Sequence, residues 1–327
     1  MTSVSCIVPV RDDAARLRLC LASITRSEHP SQEVEVVVVD NGSVDDSVQV
    51  AQAAGARVLP CPGLRVSELR NRGAAAARGE VLAFIDADHE IDPGWIVHAM
   101  EDLEQPNVAA VGAPYVAPAA GTWVQRTFDT MRHRRSGCFE TEWLASGNLA
   151  VRRHDFERLG GFDARLETCE DYDLCQRLRA SGRRLISDDR LRSVHHGDPA
   201  TLAALFRAEL WRGRDNLRAS LRGPLTLRGL PSLLIPVVEL GWLTAGLGGL
   251  LATPEGLALT LSAPAGLAGF AALRAWRMTS HRSGVRPVEA LQAFAVAYVY
   301  ELARAMALVY RAPHHRNGTR APGIPSA

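Results

Sequence analysis

The chain has 327 residues, with 37 basic against 36 acidic side chains. That length predicts about two domains, and the near-zero balance argues against a protein that coats nucleic acid. Every one of the 37 basic residues is Arg, which excludes a Walker-type phosphate loop and any Schiff-base or pyridoxal-phosphate lysine.

Elements follow in chain order. Val4–Val10 is a short β-branched run, residues 12–27 carry helically spaced Leu17, Leu21 and Ile24, and Val34–Val39 is a second apolar run. A helix over 44–54, a strand over 56–59, a helix over 67–77 and a strand over 81–85 continue the alternation. Strands without polar alternation are buried on both faces, and right-handed crossovers between them give a parallel sheet. The expected fold is therefore α/β, a doubly wound, mainly parallel nucleotide-binding sheet with its ligand at the carboxyl ends of the strands. Six cysteines, at 6, 20, 61, 138, 169 and 175, lack paired metal-ligand spacing and read as thiols in a reducing compartment. The first ten residues hold no basic leader, which predicts that this half stays in the cytosol.

The back half differs in charge. After Asn216 there are 11 Arg against four acids, and from Gly229 to Leu273 the only charges are Glu239 and Glu255. Two apolar stretches, 230–251 and 257–273, approach the roughly 20 residues that cross a bilayer; a buried or re-entrant hairpin is the alternative. Arg218, Arg222 and Arg228 before them, and Arg274, Arg277, Arg282 and Arg286 after them, predict cytoplasmic flanks. Residues 288–310 carry Glu289, Glu301 and Arg304 and read as an amphipathic interfacial helix. The expected organisation is a catalytic domain over 1–217, a membrane-associated helical region over 218–312 and a disordered tail over 313–327.

The strand ends carry the chemistry. The second strand ends in Asp40-Asn41-Gly42-Ser43, followed by Asp45-Asp46, and the fourth in Asp86-Ala87-Asp88. A dinucleotide site would place a Gly-x-Gly-x-x-Gly loop after the first strand, where Arg11-Asp12-Asp13-Ala14 stands instead. Carboxylates crowded at a buried strand end repel unless a cation joins them, so a hard divalent ion with diphosphate oxygens is the natural ligand.

Several motifs occur together and in order: Val8-Pro9-Val10, Val39-Asp40-Asn41-Gly42-Ser43, Leu69-Arg70-Asn71-Arg72-Gly73, Phe84-Ile85-Asp86-Ala87-Asp88, Ser146-Gly147-Asn148, Gly160-Gly161-Phe162-Asp163 and Glu170-Asp171-Tyr172-Asp173-Leu174. Over roughly residues 3–215 the chain resembles the inverting family 2 glycosyltransferases with the GT-A fold. The resemblance implies a nucleoside-diphosphate sugar donor, UDP- or GDP-linked, and magnesium or manganese. It places Asp40 on the base, with Pro9, Val10 and Asp12 lining the same pocket, Arg70 near base or diphosphate, Asp86 toward the ribose and Asp88 on the metal. His195, in preference to His196, completes the metal shell. Gly147 and Asn148 fall on the acceptor side, and Asp171 is the general base, with Glu170 orienting it or meeting the acceptor.

The implied enzyme faces the cytoplasm at the plasma or inner membrane and builds a lipid-linked or cell-envelope glycan. The non-enzymatic alternative is a catalytically degenerate sugar-nucleotide-binding subunit of a membrane assembly complex. Arg132, His133, Arg134 and Arg135 read as a solvated basic surface, with a phosphorylated acceptor as the rival assignment.

Overall fold

A computed structural model of the chain describes residues 3–29, 33–132, 135–221, 230–252 and 257–310; the predicted tail at 313–327 lies outside them. The first half alternates strand and helix: β1 (Ser3–Val10), α1 (Ala14–Arg26), β2 (Glu33–Asp40), α2 (Ser47–Ala53), β3 (Arg57–Pro60), α3 (Val66–Ala76) and β4 (Val81–Ile85). Then come β5 (His89–Ile91), α4 (Trp95–Glu104), β6 (Val108–Gly112), α5 (Trp123–Arg132), β7 (Cys138–Thr141), β8 (Asn148–Arg152), α6 (Arg153–Arg158) and α7 (Glu170–Ala180). The domain closes with β9 (Arg184–Asp188), β10 (Ser193–His195), α8 (Leu202–Arg212) and α9 (Asn216–Ser220).

Eight strands form one sheet in the order β3-β2-β1-β4-β8-β6-β9-β7. The β3-β2-β1-β4 half is parallel, β8 runs antiparallel between β4 and β6, and β7 is antiparallel to β9. The doubly wound, mainly parallel sheet thus agrees with the expectation, and the antiparallel insertion of β8 is what the apolar runs did not disclose. One face buries Leu17, Cys20 and Ile24 of α1 and Trp95, Ile96 and Leu103 of α4. The other buries Leu69 of α3, Phe156 of α6 and Leu174 and Leu178 of α7. The central strands β1, β4 and β6 are covered on both sides, which is why their sequences are dominated by apolar residues. Gly73 lets α3 close onto the sheet, since a Cβ there would collide with Ile7 and Val39.

The segment from Arg184 to His195 forms two strands. A 3₁₀ turn over Asp189–Leu191 separates β9 from β10, which leaves the main sheet and pairs antiparallel with β5, setting His195 opposite His89. Asp188 caps that turn by accepting from the Arg190 amide, a side-chain bond that diverts the backbone from the ladder.

Three long helices follow: α10 (Leu230–Ala252), α11 (Leu257–Thr279) and α12 (Pro287–Met306). Among the described residues one helix, over Leu230–Gly249, is long and apolar enough to cross a membrane. It exposes Leu234, Val237, Val238, Trp242 and Leu247, while Glu239 is fully buried. The next helix, α11, runs past Leu273 to Thr279, and its second half belongs to a core shared with the catalytic domain. That core joins Ala271, Ala275 and Met278 of α11, Val296 and Ala297 of α12, Phe128 of α5 and Leu205 of α8. Residue 217 therefore separates segments of chain rather than separate cores. A buried Arg274–Glu301 pair at 2.5 Å fastens α11 to α12.

Asn148, expected on the acceptor side, is instead wholly buried at the start of β8. Its Oδ1 accepts from Trp95 Nε1 at 2.7 Å, and its Nδ2 donates to the carbonyls of Ala113 and Leu191 at 2.9 and 2.8 Å. These bonds tie β8 to α4 and to the strands on either side of the site, so the side chain is a structural brace. Asn148→Ala strands an indole N–H and two carbonyls, each costing about 1–3 kcal/mol. The expected result is a fall in thermal midpoint of several degrees, at about 2–4 °C per kcal/mol for a chain of this size, read by differential scanning fluorimetry.

Candidate active site

The loops after β1 and β2 are stitched together before any ligand arrives. Asp12 adopts a left-handed φ of 52°; its amide donates to Ser43 Oγ at 3.0 Å, and its Oδ1 accepts from the Val44 amide at 2.8 Å. Asp40 is buried, and its carboxylate accepts from the amides of Gly42 and Ser43 at 3.1–3.2 Å. Gly42 sits at φ 73°, the left-handed region that favours glycine. Pro9 and Val10 are buried in β1, with Val10 paired to Asp40 across the sheet. The structure thus brings Pro9, Val10, Asp12 and Asp40 to one corner of the strand ends.

The second corner is built around Arg70. Its side chain is only 3% exposed, and it spans two acids, donating from Nη2 to Asp86 Oδ1 at 2.6 Å and from Nη1 to Glu170 Oε1 at 2.7 Å. Arg70, expected near the base or diphosphate, holds the end of β4 against the start of α7 through these two pairs, while its Nε has no hydrogen-bond partner among the described residues. Beyond it, Ser146 Oγ donates to Glu170 Oε1 at 3.3 Å, and the Ser146 amide reaches Asp171 Oδ2 at 3.4 Å. Cys169, the residue before α7, takes a left-handed φ of 63°, which turns the helix start and its two acids toward this network. Gly147 has no room for a side chain, because a Cβ would lie 2.5 Å from Asp86 Oδ2.

Burial, followed by repulsion from Asp171, pushes Glu170 up to about 7 in spite of Arg70. Burial likewise raises Asp171, against the hydrogen bond it accepts from the Tyr172 amide. The two neighbouring carboxyls hold a proton more readily than isolated ones would.

The third corner is Asp88. His195 Nε2 lies 3.2 Å from Asp88 Oδ2 and His89 Nε2 4.0 Å from Oδ1, and one ligand atom from each of the three residues lies within 4.8 Å of the others. Both imidazoles are held by their far nitrogens, His89 Nδ1 by Ser193 Oγ at 2.9 Å and His195 Nδ1 by Asp198 Oδ1 at 2.8 Å. Outer partners of this kind fix the orientation of metal-ligating histidines. Asp198 is in turn clamped by Arg132, which stacks 4.2 Å over the Tyr115 ring, and Tyr115 packs edge-on against both imidazoles. Arg132 therefore belongs to the site's support and not to a solvated basic surface. His196 points elsewhere, to Glu90 at 2.5 Å.

Burial works against charge on His195, but Asp88 and Asp198 outweigh it and raise the imidazole to about 10. Burial and then the charge of His195 lower His89 to about 4. Asp88 is held well below the usual carboxylate range by His195, against its own burial. One acid and two oriented imidazoles fit a divalent cation that accepts oxygen and nitrogen together. Sequence reasoning missed His89, Asp198 and Tyr115. His89 directly follows the Asp-x-Asp triplet, but only the β5–β10 pairing makes it a neighbour of His195.

Residues 5–160 match the family described as Glycosyl transferase family 2. This segment is similar to the family 2 glycosyltransferases over just under half of the chain. Among similar curated proteins are the O-antigen biosynthesis protein RfbC of Myxococcus xanthus, 29% identical over 64% of this chain and 18% of its own length, and the glycosyltransferase AglE of Haloferax volcanii, 26% identical over 69% and 76%. The chain thus spans less than a fifth of RfbC. Among solved structures, the Pyrobaculum calidifontis mannosyltransferase PcManGT, in complex with GDP-Man and Mn2+, superposes with a TM-score of 0.58 at 19% identity, over 93% of this chain and 86% of its own. GalNAc-T7 with UDP, GalNAc and Mn2+ gives 0.52 at 16% identity, over 73% and 51%. At such identities the likeness establishes the fold, which is GT-A.

Two substitutions probe the corners separately. Arg70→Leu leaves Asp86 and the buried Glu170 facing each other unpaired, a loss of about 3–5 kcal/mol, to be read as a lower midpoint in urea. In Gly197→Ala the new Cβ would overlap Asp88 Oδ2 and lie 2.9 Å from His195 Nε2. That variant is expected to keep its circular dichroism spectrum and to bind a divalent cation more weakly than the wild type by calorimetry.

Proposed function

We propose that the protein is an inverting glycosyltransferase, moving a sugar from a nucleoside-diphosphate sugar to a hydroxyl or phosphate of a lipid-linked or cell-envelope acceptor. The observation that carries this reading is the Arg70 bridge. It joins the end of β4, whose next acid is Asp88, to the start of α7, whose next acid is Asp171. Donor-side and acceptor-side acids are thereby held in one frame. The donor's base would lie against Asp40 and β1, and the Mn2+-bound nucleotide-sugar neighbours support a donor of that class.

Asp88, His89 and His195 would hold the cation, and their mixed donor set suits manganese better than magnesium, which prefers oxygen alone. The cation supplies charge neutralisation to the diphosphate when bound. Asp171 takes the acceptor proton as the acceptor oxygen forms its bond to the anomeric carbon. The bond from that carbon to the diphosphate oxygen breaks, and the nucleoside diphosphate leaves with the electron pair. A single displacement of this kind inverts the anomeric centre. Glu170 keeps Asp171 in place through Ser146 and Arg70 and shares its tendency to hold a proton. The exposed apolar surface of α10 supports attachment to the membrane, with the catalytic domain on its cytoplasmic side.

Asp171→Asn is expected to bind donor normally and to lose transfer by about 10²–10⁴-fold, the usual share of a general base; full turnover in that variant would remove the assignment. The pair's proton sets a pH limb. With Glu170 raised from 4.5 to about 7, kcat/KM should climb through pH 7 and then level, and Glu170→Gln should shift that limb down. The same raised affinity for a proton means that Glu170 favours the fold below about pH 4.5 and that this contribution disappears as pH rises through about 7. Urea midpoints at pH 5 and 8 in wild type and Glu170→Gln isolate that contribution.

A further inference from the structure

Beneath the site, where α5 of the catalytic domain meets the end of α11 and the start of α12, lies a cavity of about 490 Å³. It adjoins a second of about 220 Å³, and the two share Asp129, Thr130 and Arg282. The larger volume falls within the range of small-molecule sites, roughly 300–1,000 Å³. Its walls carry Arg126, Arg282 and Arg286, and the smaller space adds Arg274, Arg277 and His281. Arg274 is paired with Glu301 and Arg286 with Glu289; Glu289 also attracts Arg282 without closing a salt bridge to it, so the cations of the two cavities outnumber the acids Asp129 and Glu289 in their walls. Half-exposed Val288 and the Trp123 ring stand at the lip. An excess of arginines behind an aromatic and aliphatic lip suits a ligand with an anionic head and an apolar body.

The cavity is also wired to the active site. Asp129, in its wall, pairs with Arg132 at 3.1 Å; Arg132 clamps Asp198, Asp198 holds His195 and His195 reaches Asp88. A ligand that shifts Asp129 acts on the support of the metal-binding acid without touching it.

We propose that this cavity binds the headgroup of an anionic glycerophospholipid, seating the catalytic domain on the membrane surface beside α10. The proposal rests on the reading of α10 as membrane-embedded. Arg277 and Arg282 grip the phosphodiester, and the acyl chains leave past Val288 and Trp123 toward the apolar face of the helices.

The test uses the full chain in a neutral detergent, titrated with short-chain phosphatidylglycerol, with phosphatidylcholine of the same chains, and with inorganic phosphate, bound species being counted by native mass spectrometry. One phosphatidylglycerol per chain is expected, at least ten-fold tighter than phosphatidylcholine and not displaced by millimolar phosphate. Arg277→Gln/Arg282→Gln should weaken it ten-fold or more, and Arg277→Lys/Arg282→Lys should retain most of the binding. Equal binding of phosphatidylcholine, an unchanged affinity in the Gln pair with a normal melting profile, or displacement by inorganic phosphate at equal concentration would each overturn the proposal. Manganese-dependent binding of a nucleotide sugar, measured on the same samples, reports on the glycosyltransfer reading independently.

Discussion

The site depends on one buried guanidinium. Two acids, Asp86 at a strand end and Glu170 at a helix start, come from segments remote in the sequence, and without Arg70 between them they would repel each other beside the buried start of the helix. The planar fork of Arg donates along two directions at once, so a single side chain can span two carboxylates in fixed geometry where the point charge of Lys could not. The arrangement also explains the small residues around it: Gly147 leaves space for Asp86, and Ser146 adds a second hydrogen bond to Glu170 and one to Asp171.

A comparable logic governs the Asp88 corner, where charge is balanced through layers. Asp88 faces two imidazoles, each imidazole leans on a polar partner, and Asp198 is itself closed by Arg132 stacked on Tyr115. Every buried charge in the series has a partner of opposite sign, which is the condition under which such a network stays ordered. The series ends at Asp129 on the side of the domain that meets the C-terminal helices. Those helices share a hydrophobic core with α5 and α8, so the apolar region and the catalytic domain are mechanically one unit at this junction.

What the sequence revealed follows from what a sequence can encode locally. The parallel half of the sheet was legible because doubly buried strands must be apolar throughout, and its boundaries came out within a few residues. The acids at the strand ends were legible because carboxylates crowded after an apolar run repel one another unless something joins them. Asn148 was misjudged because a polar residue inside a family motif reads as a ligand contact, and only burial reveals that its donors are consumed by the protein. His89 and Asp198 went unread because their meaning depends on partners over a hundred residues away or on a turn that no pattern announces.

By itself, then, the amino-acid order determined the class of fold, the chemical type of the site and the apolar character of the segment after residue 229, since each is written in residue type and short-range period. The tertiary structure alone decided which side chains gather around Asp88, which arginine is a brace and which surface is a cavity. Those properties arise from distances between segments remote in the chain, and burial changes the worth of a charge in ways that its neighbours in sequence do not record.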